Sequence, residues 1–362
     1  MSGDRVLICT TNGTGMGHLT RGMAIGRRLP EGLAAVLFTL SQAAPVARRQ
    51  GFLTEYFHAA GTAGTSKPDW NLAYRRRLES LLATYDPAVV LFDGVHPYLG
   101  LLDVATSSAH RHRRFVWSRR GLWQPGKGGQ AIDRGRFFDV VLEPGDVAEA
   151  ADRGLSAERR DEAVVVDPIT LLDADELLDR DAARDALGLD RDATWALVQL
   201  GTGALADPAS RLGIAAAALS AIGVRLAFVE STIARQRTAL PPGATGIEVY
   251  PLARYLKAFD LAVTAAGYNI VHEVCVAALP TILSPIATSH LDDQVARARY
   301  LEAEGMARCW QEPTRAAFEA HLARLATPER RAAVAGRLAA AAFPNGAGQA
   351  AHLLAGLAGA VR

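Results

Sequence analysis

The sequence predicts an α/β protein built from two parallel sheets, and three observations support this prediction. Short aliphatic runs alternate with helix-like stretches along most of the chain. Each run leads into a loop of glycine, small or acidic residues. The alternation stops once, around residues 161–190, and then restarts. Such alternation is typical of βαβ units, and the chain of 362 residues suits two domains at about 100–200 residues each.

Aliphatic runs in the first half predict its strands. They span residues 6–10, 34–40, 88–92, 115–118 and 140–142. The first run is followed by a glycine-rich segment, and the third run ends at Asp93. Because loops at the carboxyl ends of parallel strands share one edge of the sheet, we expect these two segments to lie on the same rim.

The second half repeats the pattern with runs at residues 194–200, 224–229, 261–264 and 281–283. An acidic connection at residues 167–173 separates the halves, and the segment from Pro313 onward is rich in helix-forming alanine, leucine and arginine. We therefore predict an N-terminal domain at residues 1–165 and a C-terminal domain at residues 166–345. Residues 346–362 are expected to form a helix that crosses back to the first domain.

The composition excludes several classes of protein. With 39 basic and 38 acidic residues, the formal charge is +1, so a basic nucleic-acid-binding protein is not expected. The three cysteines form no CxxC pair, which suits a reducing compartment and argues against a disulfide framework or zinc ribbon. The longest apolar run, residues 212–224, is shorter than the ~18 residues of a membrane span. The N-terminus does not resemble a signal peptide. We expect a cytoplasmic protein without a membrane span; its oligomeric state stays open.

The glycine-rich segment after the first run is the densest motif of the N-terminal half. Glycines stand at positions 13, 15 and 17, and His18 follows. Glycine lets the backbone approach a ligand, and N–H groups at a helix start favour an anion or an oxygen-rich group. The spacing is not Gly-x-Gly-x-x-Gly, and no acidic residue follows the second run, so NAD binding is disfavoured. A tight turn without a ligand is the alternative.

A second group of polar residues follows the third run of the C-terminal half. Gly267 is expected to start a helix in which Glu273 lies one to two turns along, where its carboxylate can accept two hydrogen bonds from a diol. Asp293 and Gln294 are expected at the start of another helix. The alternative is a solvated glutamate and an ordinary helix N-cap. His272-Glu273 begins a zinc-protease motif, but Val276 stands where the second histidine is required, so no metal site is predicted.

The chain resembles the two-domain nucleotide-sugar glycosyltransferases of the peptidoglycan N-acetylglucosaminyltransferase superfamily. Their fold, called GT-B, has two Rossmann-like domains that face each other across a cleft. The resemblance spans roughly residues 5–310. The motifs that carry it are Gly17-His18, residues 199–203, residues 266–273 and Asp293-Gln294.

The resemblance implies that the donor binds to the C-terminal half. Glu273 corresponds to the residue that holds the donor ribose, and Asp293 and Gln294 to the pair that hydrogen-bonds the sugar hydroxyls. Residues 249–252 correspond to the backbone that meets the nucleobase. The positions expected near the phosphates are Gly201, Thr202, Gly203, Gly267, Tyr268 and Asn269.

The resemblance places the acceptor in the N-terminal half. His18 corresponds to a histidine proposed in relatives as general base or acceptor-site residue. The position of Asp93 at the end of a strand on the same rim makes it the expected partner that orients His18. Other acceptor-side candidates are Gly15, Gly17, Arg120 and Trp123.

Two features qualify the acceptor site. Residues 111–123 interleave arginines with aromatic residues. This pattern fits an acceptor-side loop or a strand flanked by solvated arginines. A surface for single-stranded nucleic acid is a third and weaker alternative. Met16 stands where the peptidoglycan enzyme has glycine, and no patch for docking on a membrane is evident. A lipid-linked acceptor is therefore not expected.

The function expected from these observations is metal-independent transfer of a sugar from a UDP- or TDP-linked donor to a hydroxyl of a small molecule. No cofactor is expected beyond the nucleotide-sugar co-substrate. One alternative is a nucleotide-sugar epimerase of the same fold, which turns over the donor without an acceptor. Another is a non-catalytic partner of a transferase, which the presence of both His18 and Glu273 argues against.

Overall fold

The computed structural model describes residues 4–11, 15–61, 64–200, 208–229, 240–287 and 291–361. The chain forms two compact units. The first contains Met1–Asp146, Arg153–Leu171 and Asn345–Arg362, and the second contains Val147–Asp152 and Leu172–Pro344. The chain therefore passes from one unit to the other at four points. Two details differ from the boundaries expected from the sequence: the first unit continues to Leu171, and residues 147–152 are part of the second.

The first unit is built on a sheet of seven parallel strands in the order β3-β2-β1-β4-β5-β6-β7. Its central strands are continuous aliphatic runs because helices cover both faces of such a sheet. The strands are β1 (Arg5–Thr10), β2 (Ala34–Thr39), β3 (Leu53–Tyr56), β4 (Val89–Asp93), β5 (Arg114–Ser118), β6 (Val140–Pro144) and β7 (Val164–Val166).

Helices connect these strands, and their ends follow local sequence signals. The longest begins after Ser66, whose side chain accepts a hydrogen bond from the Asp69 N–H, and ends before Asp86 in the left-handed region. The helices are α1 (Gly17–Gly26), α2 (Ala44–Arg49), α3 (Lys67–Tyr85), α4 (Leu99–Ala105), α5 (Gly129–Ile132) and α6 (Leu155–Glu158).

The second unit is built on a sheet of six parallel strands in the order β10-β9-β8-β11-β12-β13. Its strands are β8 (Trp195–Gln199), β9 (Arg225–Val229), β10 (Thr245–Ile247), β11 (Leu261–Ala265), β12 (Thr281–Ser284) and β13 (Arg308–Cys309). Its helices are α7 (Arg180–Leu187), α8 (Pro208–Ala221), α9 (Tyr268–Val276), α10 (Gln294–Ala303), α11 (Arg315–Ala323) and α12 (Pro328–Ala341).

The last helix, α13 (Ala347–Val361), packs in the first unit against α1, β4, β5 and β7. The turn before it is fixed by paired hydrogen bonds. Asn345 Nδ2 donates to the carbonyl oxygen of Thr170 at 3.0 Å, and the Thr170 N–H donates to Asn345 Oδ1 at 3.2 Å. Within the described ranges, no helix is long and apolar enough to cross a membrane.

The strand order creates one reversal point in each sheet. In the first sheet, the strands that follow β1 are added toward one edge and those that follow β4 toward the other. In the second sheet, the same reversal lies between β8 and β11. In open parallel sheets, ligands bind beyond the carboxyl ends of the strands at such a reversal. His18 follows β1 and Asp93 ends β4, whereas Gly267 follows β11. The fold therefore places the candidate residues of each unit where a ligand site is expected.

Candidate active site

His18 and Asp93 meet at the reversal point of the first unit. The register pairs Thr10 of β1 with Asp93 of β4, and His18 stands in the first turn of the helix that follows β1. His18 Nδ1 contacts Oδ1 of Asp93, whose carboxylate is fully buried. The structure thus brings together the two residues expected to form the acid–base pair.

Arg21 and Ser118 complete the surroundings of the Asp93 carboxylate. Arg21 Nε donates to Oδ2 at 3.0 Å and Nη2 donates to Oδ1 at 2.6 Å, so the guanidinium engages both oxygens. Ser118 Oγ donates to Oδ2 at 3.2 Å. Burial opposes the charge of Asp93, but Arg21 and His18 outweigh it and hold the pKa of Asp93 below its usual value. Asp93 is therefore an anion throughout the physiological range.

The environment of His18 favours the neutral imidazole. Burial is the largest effect and lowers the pKa of His18; the charges of Arg21 and Arg120 act in the same direction, against the hydrogen bond and charge of Asp93. The ionised carboxylate carries no proton to share, so we assign the ring proton to Nδ1, which leaves the lone pair on Nε2. This tautomer suits a general base at neutral pH.

The other acceptor-side candidates have different surroundings. The Gly15 carbonyl oxygen accepts a hydrogen bond from Ser41 Oγ at 3.1 Å, and Gly17 begins α1. Arg120 is half-buried, and its charge acts on His18. Trp123 is only 3% exposed, which leaves little of its indole for an acceptor. Positions 12–14 of the glycine-rich segment lie outside the described residues.

The arginines around β5 are not uniformly solvated, contrary to one alternative from the sequence. Arg119 is buried, and its Nη2 donates to Glu143 Oε2 at 2.8 Å. Arg113 is also buried, and its Nη2 donates to Asp86 Oδ1 at 2.7 Å. These side chains are held by buried or partly buried acids, so the segment is not an unpaired basic surface.

In the second unit, the reversal point is occupied by the N-terminus of α9. Gly267 is the N-cap in an extended conformation and has no side chain with which to cap the helix. Tyr268 is buried, with its ring 4.2 Å from that of His272. Asn269 lies in the first turn and is half-buried. A helix N-terminus in this position favours a negatively charged group.

Glu273 is an unpartnered carboxyl group in the second turn of α9. It is half-buried, and no residue in the described ranges donates a hydrogen bond or forms an ion pair with its carboxylate. Burial raises its pKa to about 7. Carboxyl groups removed from water are normally hydrogen-bonded, so a ligand with hydroxyl donors would satisfy this one.

Asp293 and Gln294 both have structural hydrogen bonds that leave part of each side chain for a ligand. Asp293 is the N-cap of α10, and its Oδ1 accepts from the Ala296 N–H at 3.0 Å. Gln294 Oε1 accepts from the Ile286 N–H at 3.1 Å. Among the described residues, no hydrogen-bond partner is found for Oδ2 of Asp293 or Nε2 of Gln294. The N-cap alternative is therefore realised, and it does not preclude the ligand role.

Sequence reasoning missed Arg297, which links two parts of the second-unit site. Its Nη1 donates to the carbonyl oxygen of Ala266 at 2.8 Å, and its Nη2 donates to Asp292 Oδ1 at 2.8 Å. The side chain is fully buried. It thereby ties the residue before Gly267 to the turn that carries Asp293. The sequence did contain a signal for its burial. Arg297 stands next to Ala298 and four positions before Leu301, so this charged residue lies on the apolar face of α10.

Arg211 was also missed, and it is a buried cation beside the end of β12. Nη1 donates to Ser284 Oγ at 2.8 Å and to the Trp310 carbonyl oxygen at 3.0 Å, and Nη2 donates to the Gln311 carbonyl oxygen at 2.7 Å. Burial lowers the pKa of Arg211, and no acidic side chain among the described residues pairs with it. Its uncompensated charge favours an anion at this edge of the sheet.

Some of the elements expected at the donor site lie outside the described residues. Gly201, Thr202 and Gly203 fall in the undescribed segment 201–207. Residues 249–252 are described and lead into a short 3₁₀ helix, Leu252–Ala258. Within the described part of the chain, no group of three histidine, cysteine or acidic side chains could hold a metal ion.

Part of the chain matches the model of a known protein family. Residues 234–348 match the model of the glycosyltransferase family 28 C-terminal domain. This segment contains Gly267, Glu273, Asp293 and Arg297. No curated protein sequence matches the chain.

Solved structures share the fold over nearly the whole chain. The glycotransferase of kitacinnamycin is 16% identical with a TM-score of 0.67, covering 98% of both chains. Spinosyn rhamnosyltransferase SpnG in complex with thymidine diphosphate is 18% identical with a TM-score of 0.63, covering 96% of this chain and 99% of SpnG. SpnG has also been solved with the spinosyn aglycone.

A structure from Listeria monocytogenes that is assigned as a UDP-N-acetylglucosamine 2-epimerase also matches. It is 14% identical with a TM-score of 0.64, covering 96% of this chain and 94% of that chain. The fold alone therefore does not distinguish transfer from epimerisation. The expected GT-B fold is confirmed by the two Rossmann-like units and their glycosyltransferase neighbours.

Proposed function

We propose, on the premise of a GT-B fold in which residues 234–348 match the family 28 C-terminal domain, that this protein is a sugar transferase. The donor is a UDP- or TDP-linked sugar, and the acceptor is a hydroxyl of a small molecule. The observation that carries the proposal is Glu273, a half-buried carboxyl group within the matched segment that has no partner among the described residues. We further propose that the reaction needs no metal ion and no cofactor.

The second unit provides charges that suit a nucleotide diphosphate. The N-terminus of α9 carries partial positive charge, which stabilises the diphosphate as it leaves. The buried cation of Arg211 adds to the positive potential of the same unit. These fixed charges take the role that a divalent cation has in metal-dependent transferases.

The proposed role of Glu273 predicts a difference between the binding of UDP and of TDP. Its two carboxylate oxygens can accept hydrogen bonds from both hydroxyls of the UDP ribose, but from only the 3′-hydroxyl of the deoxyribose in TDP. Binding of the two nucleotides therefore differs by one charge-assisted hydrogen bond if Glu273 binds the sugar ring as proposed. The neighbour SpnG was solved with thymidine diphosphate, so both nucleotides belong in the test.

In the first unit, His18 is the proposed general base. Nε2 takes the proton from the acceptor hydroxyl while the acceptor oxygen forms its bond to the anomeric carbon. The bond from that carbon to the diphosphate oxygen breaks, and its electron pair leaves with the nucleotide diphosphate. Asp93 stabilises the imidazolium that forms and holds the ring through Nδ1.

A thermal-shift series tests the donor assignment. The full chain is heated with UDP, TDP, GDP, ADP or NAD, with and without EDTA. A ligand at one hundred times its Kd raises the unfolding free energy by about 2.7 kcal/mol. We expect this effect with UDP or TDP and no change with EDTA. Stabilisation only by NAD, or only with added metal, would contradict the proposal, as would no stabilisation by any nucleotide.

Epimerisation is the second candidate, and the Listeria structure is the observation that favours it. The two reactions differ in what they need. An epimerase converts the donor alone into a new nucleotide sugar. A transferase given the donor alone leaves the nucleotide sugar unchanged apart from slow hydrolysis. Incubation with UDP-linked sugars alone, followed by NMR of the nucleotide sugar, separates them.

A further inference from the structure

We infer that Arg21 is a positioning residue, which fixes the Asp93 carboxylate and keeps the His18 imidazole neutral between turnovers. This inference rests on the proposed role of His18 as the general base. Arg21 itself is not required to contact either substrate.

The geometry places Arg21 between the other two side chains. Arg21 follows His18 by three positions on α1, so both side chains share one face of the helix. The guanidinium donates to both oxygens of Asp93, and its Nη2 lies 2.8 Å from His18 Nδ1. All four groups of this cluster, including Ser118, are buried or nearly so. The fork of two hydrogen bonds fixes the plane of the carboxylate and directs Oδ1 at the imidazole.

The charge of Arg21 affects whether His18 can act as a base. A buried carboxylate alone beside a histidine favours the imidazolium, which cannot accept a proton. Arg21 balances the charge of Asp93, so the pair presents the histidine with a dipole and not with a net negative charge. The charged groups that face His18 are Asp93 from β4, Arg21 from α1 and Arg120 after β5. Two of these three are cations, and both oppose protonation of the ring.

A purely structural role for Arg21 is the competing explanation. A buried aspartate needs a counter-charge for folding, whether or not a histidine is nearby. The two explanations differ in one observable: only the positioning role makes the proton affinity of His18 depend on Arg21. The test therefore measures the titration of His18 directly.

The experiment follows the ring protons of His18 by NMR as a function of pH in the full chain. The protein has nine histidines, and the His18→Gln variant identifies the relevant signal. In Arg21→Gln, we expect the His18 midpoint to move up by about one pH unit, the smaller end of the shift that a nearby charge produces. The acid limb of the activity profile moves by the same amount. Arg21→Lys, which keeps the charge, should bring the midpoint back toward that of the wild type.

Arg113→Gln is the matched control. It also removes a buried arginine paired with an aspartate in the same unit. Arg113 directly precedes Arg114, which pairs with Val89 at the start of β4. Asp93 is at the other end of β4. The two sites are therefore roughly 13 Å apart along the strands. This variant loses stability without a change in the His18 midpoint.

A double variant covers the case in which Arg21→Gln fails to fold. Arg21→Gln/Asp93→Asn removes both buried charges, and its His18 midpoint should lie above that of Asp93→Asn alone. An unchanged midpoint on loss of Arg21, in whichever background folds, overturns the inference. The titration needs no substrate, so this result is independent of nucleotide binding, whose absence would instead contradict the proposed function.

Discussion

His18 and Asp93 are 75 residues apart in the sequence, yet Nδ1 of His18 contacts Oδ1 of Asp93 at the carboxyl ends of neighbouring strands. The contact follows from the strand order, because β1 pairs with β4 and Thr10 stands opposite Asp93. This contact orients the imidazole of His18 at the start of α1.

Replacement of His18 by alanine removes the proposed base. Positioned general bases contribute typically ~10²–10⁴ in rate, so His18→Ala should lower kcat by that factor. Affinity for UDP should change little, because the proposed nucleotide site lies in the second unit. His112→Ala, which changes an exposed histidine of the same unit, is the control. Transfer by His18→Ala at a rate close to that of the wild type would place the base elsewhere.

Replacement of Asp93 by asparagine affects both stability and rate. It leaves the buried guanidinium of Arg21 without its counter-charge, and breaking a buried ion pair costs about 3–5 kcal/mol. Urea unfolding should show a loss of this size. The fall in kcat should be smaller than in His18→Ala because the base itself remains. A stability equal to that of the wild type would mean that the Arg21–Asp93 pair is not buried as the structure has it.

The central strands and the rim of the site were predictable from the sequence, because both depend on short local patterns. β1 and β4 are unbroken aliphatic runs, and the residues that follow them must meet at one edge. β3, with an exposed Leu53, and β13, with two residues, carry no comparable pattern. Both strands were therefore missed.

The charged side chains behind the site were not predictable. Arginines on helices are usually solvated, and Arg21 finds its acid 72 positions away. Arg211 bonds to carbonyl oxygens about 100 positions away. Such partners depend on tertiary packing, which a local pattern does not encode. The excursion of residues 147–152 into the second unit was missed for the same reason.

Replacement of Arg297 tests the link between the two parts of the proposed donor site. Arg297→Met keeps the length of the side chain but removes its hydrogen bonds to Ala266 and Asp292. Hydrogen bonds to charged groups contribute about 1.5–3 kcal/mol each, so unfolding free energy should fall by at least that much. UDP affinity should fall as well, because the start of α9 is no longer tied to the turn before α10. Arg299→Met, at an exposed position of the same helix, is expected to change neither quantity.

The pH dependence of stability tests the burial of Glu273. Its pKa is about 7 in the folded chain, against about 4.3 when unfolded. The folded state therefore holds the proton of Glu273 more tightly than the unfolded state does. The stability that protonated Glu273 contributes is complete below pH ~4 and is lost as pH rises through 7. Relative to the wild type, Glu273→Gln should become more stable between pH 5 and pH 8. Urea unfolding at each pH measures the difference, and a difference independent of pH would mean that Glu273 is solvated.

Calorimetric titration of UDP and TDP into the wild type and Glu273→Gln tests the central claim, that the second unit binds a nucleotide through this carboxylate. Loss of charge-assisted hydrogen bonds to the ribose should weaken UDP binding by about 1.5–3 kcal/mol, with a smaller loss for TDP. Glu319→Gln, an exposed glutamate on α11, should bind like the wild type. Weaker UDP binding in Glu273→Gln alone supports the account; equal UDP affinity in all three proteins contradicts it.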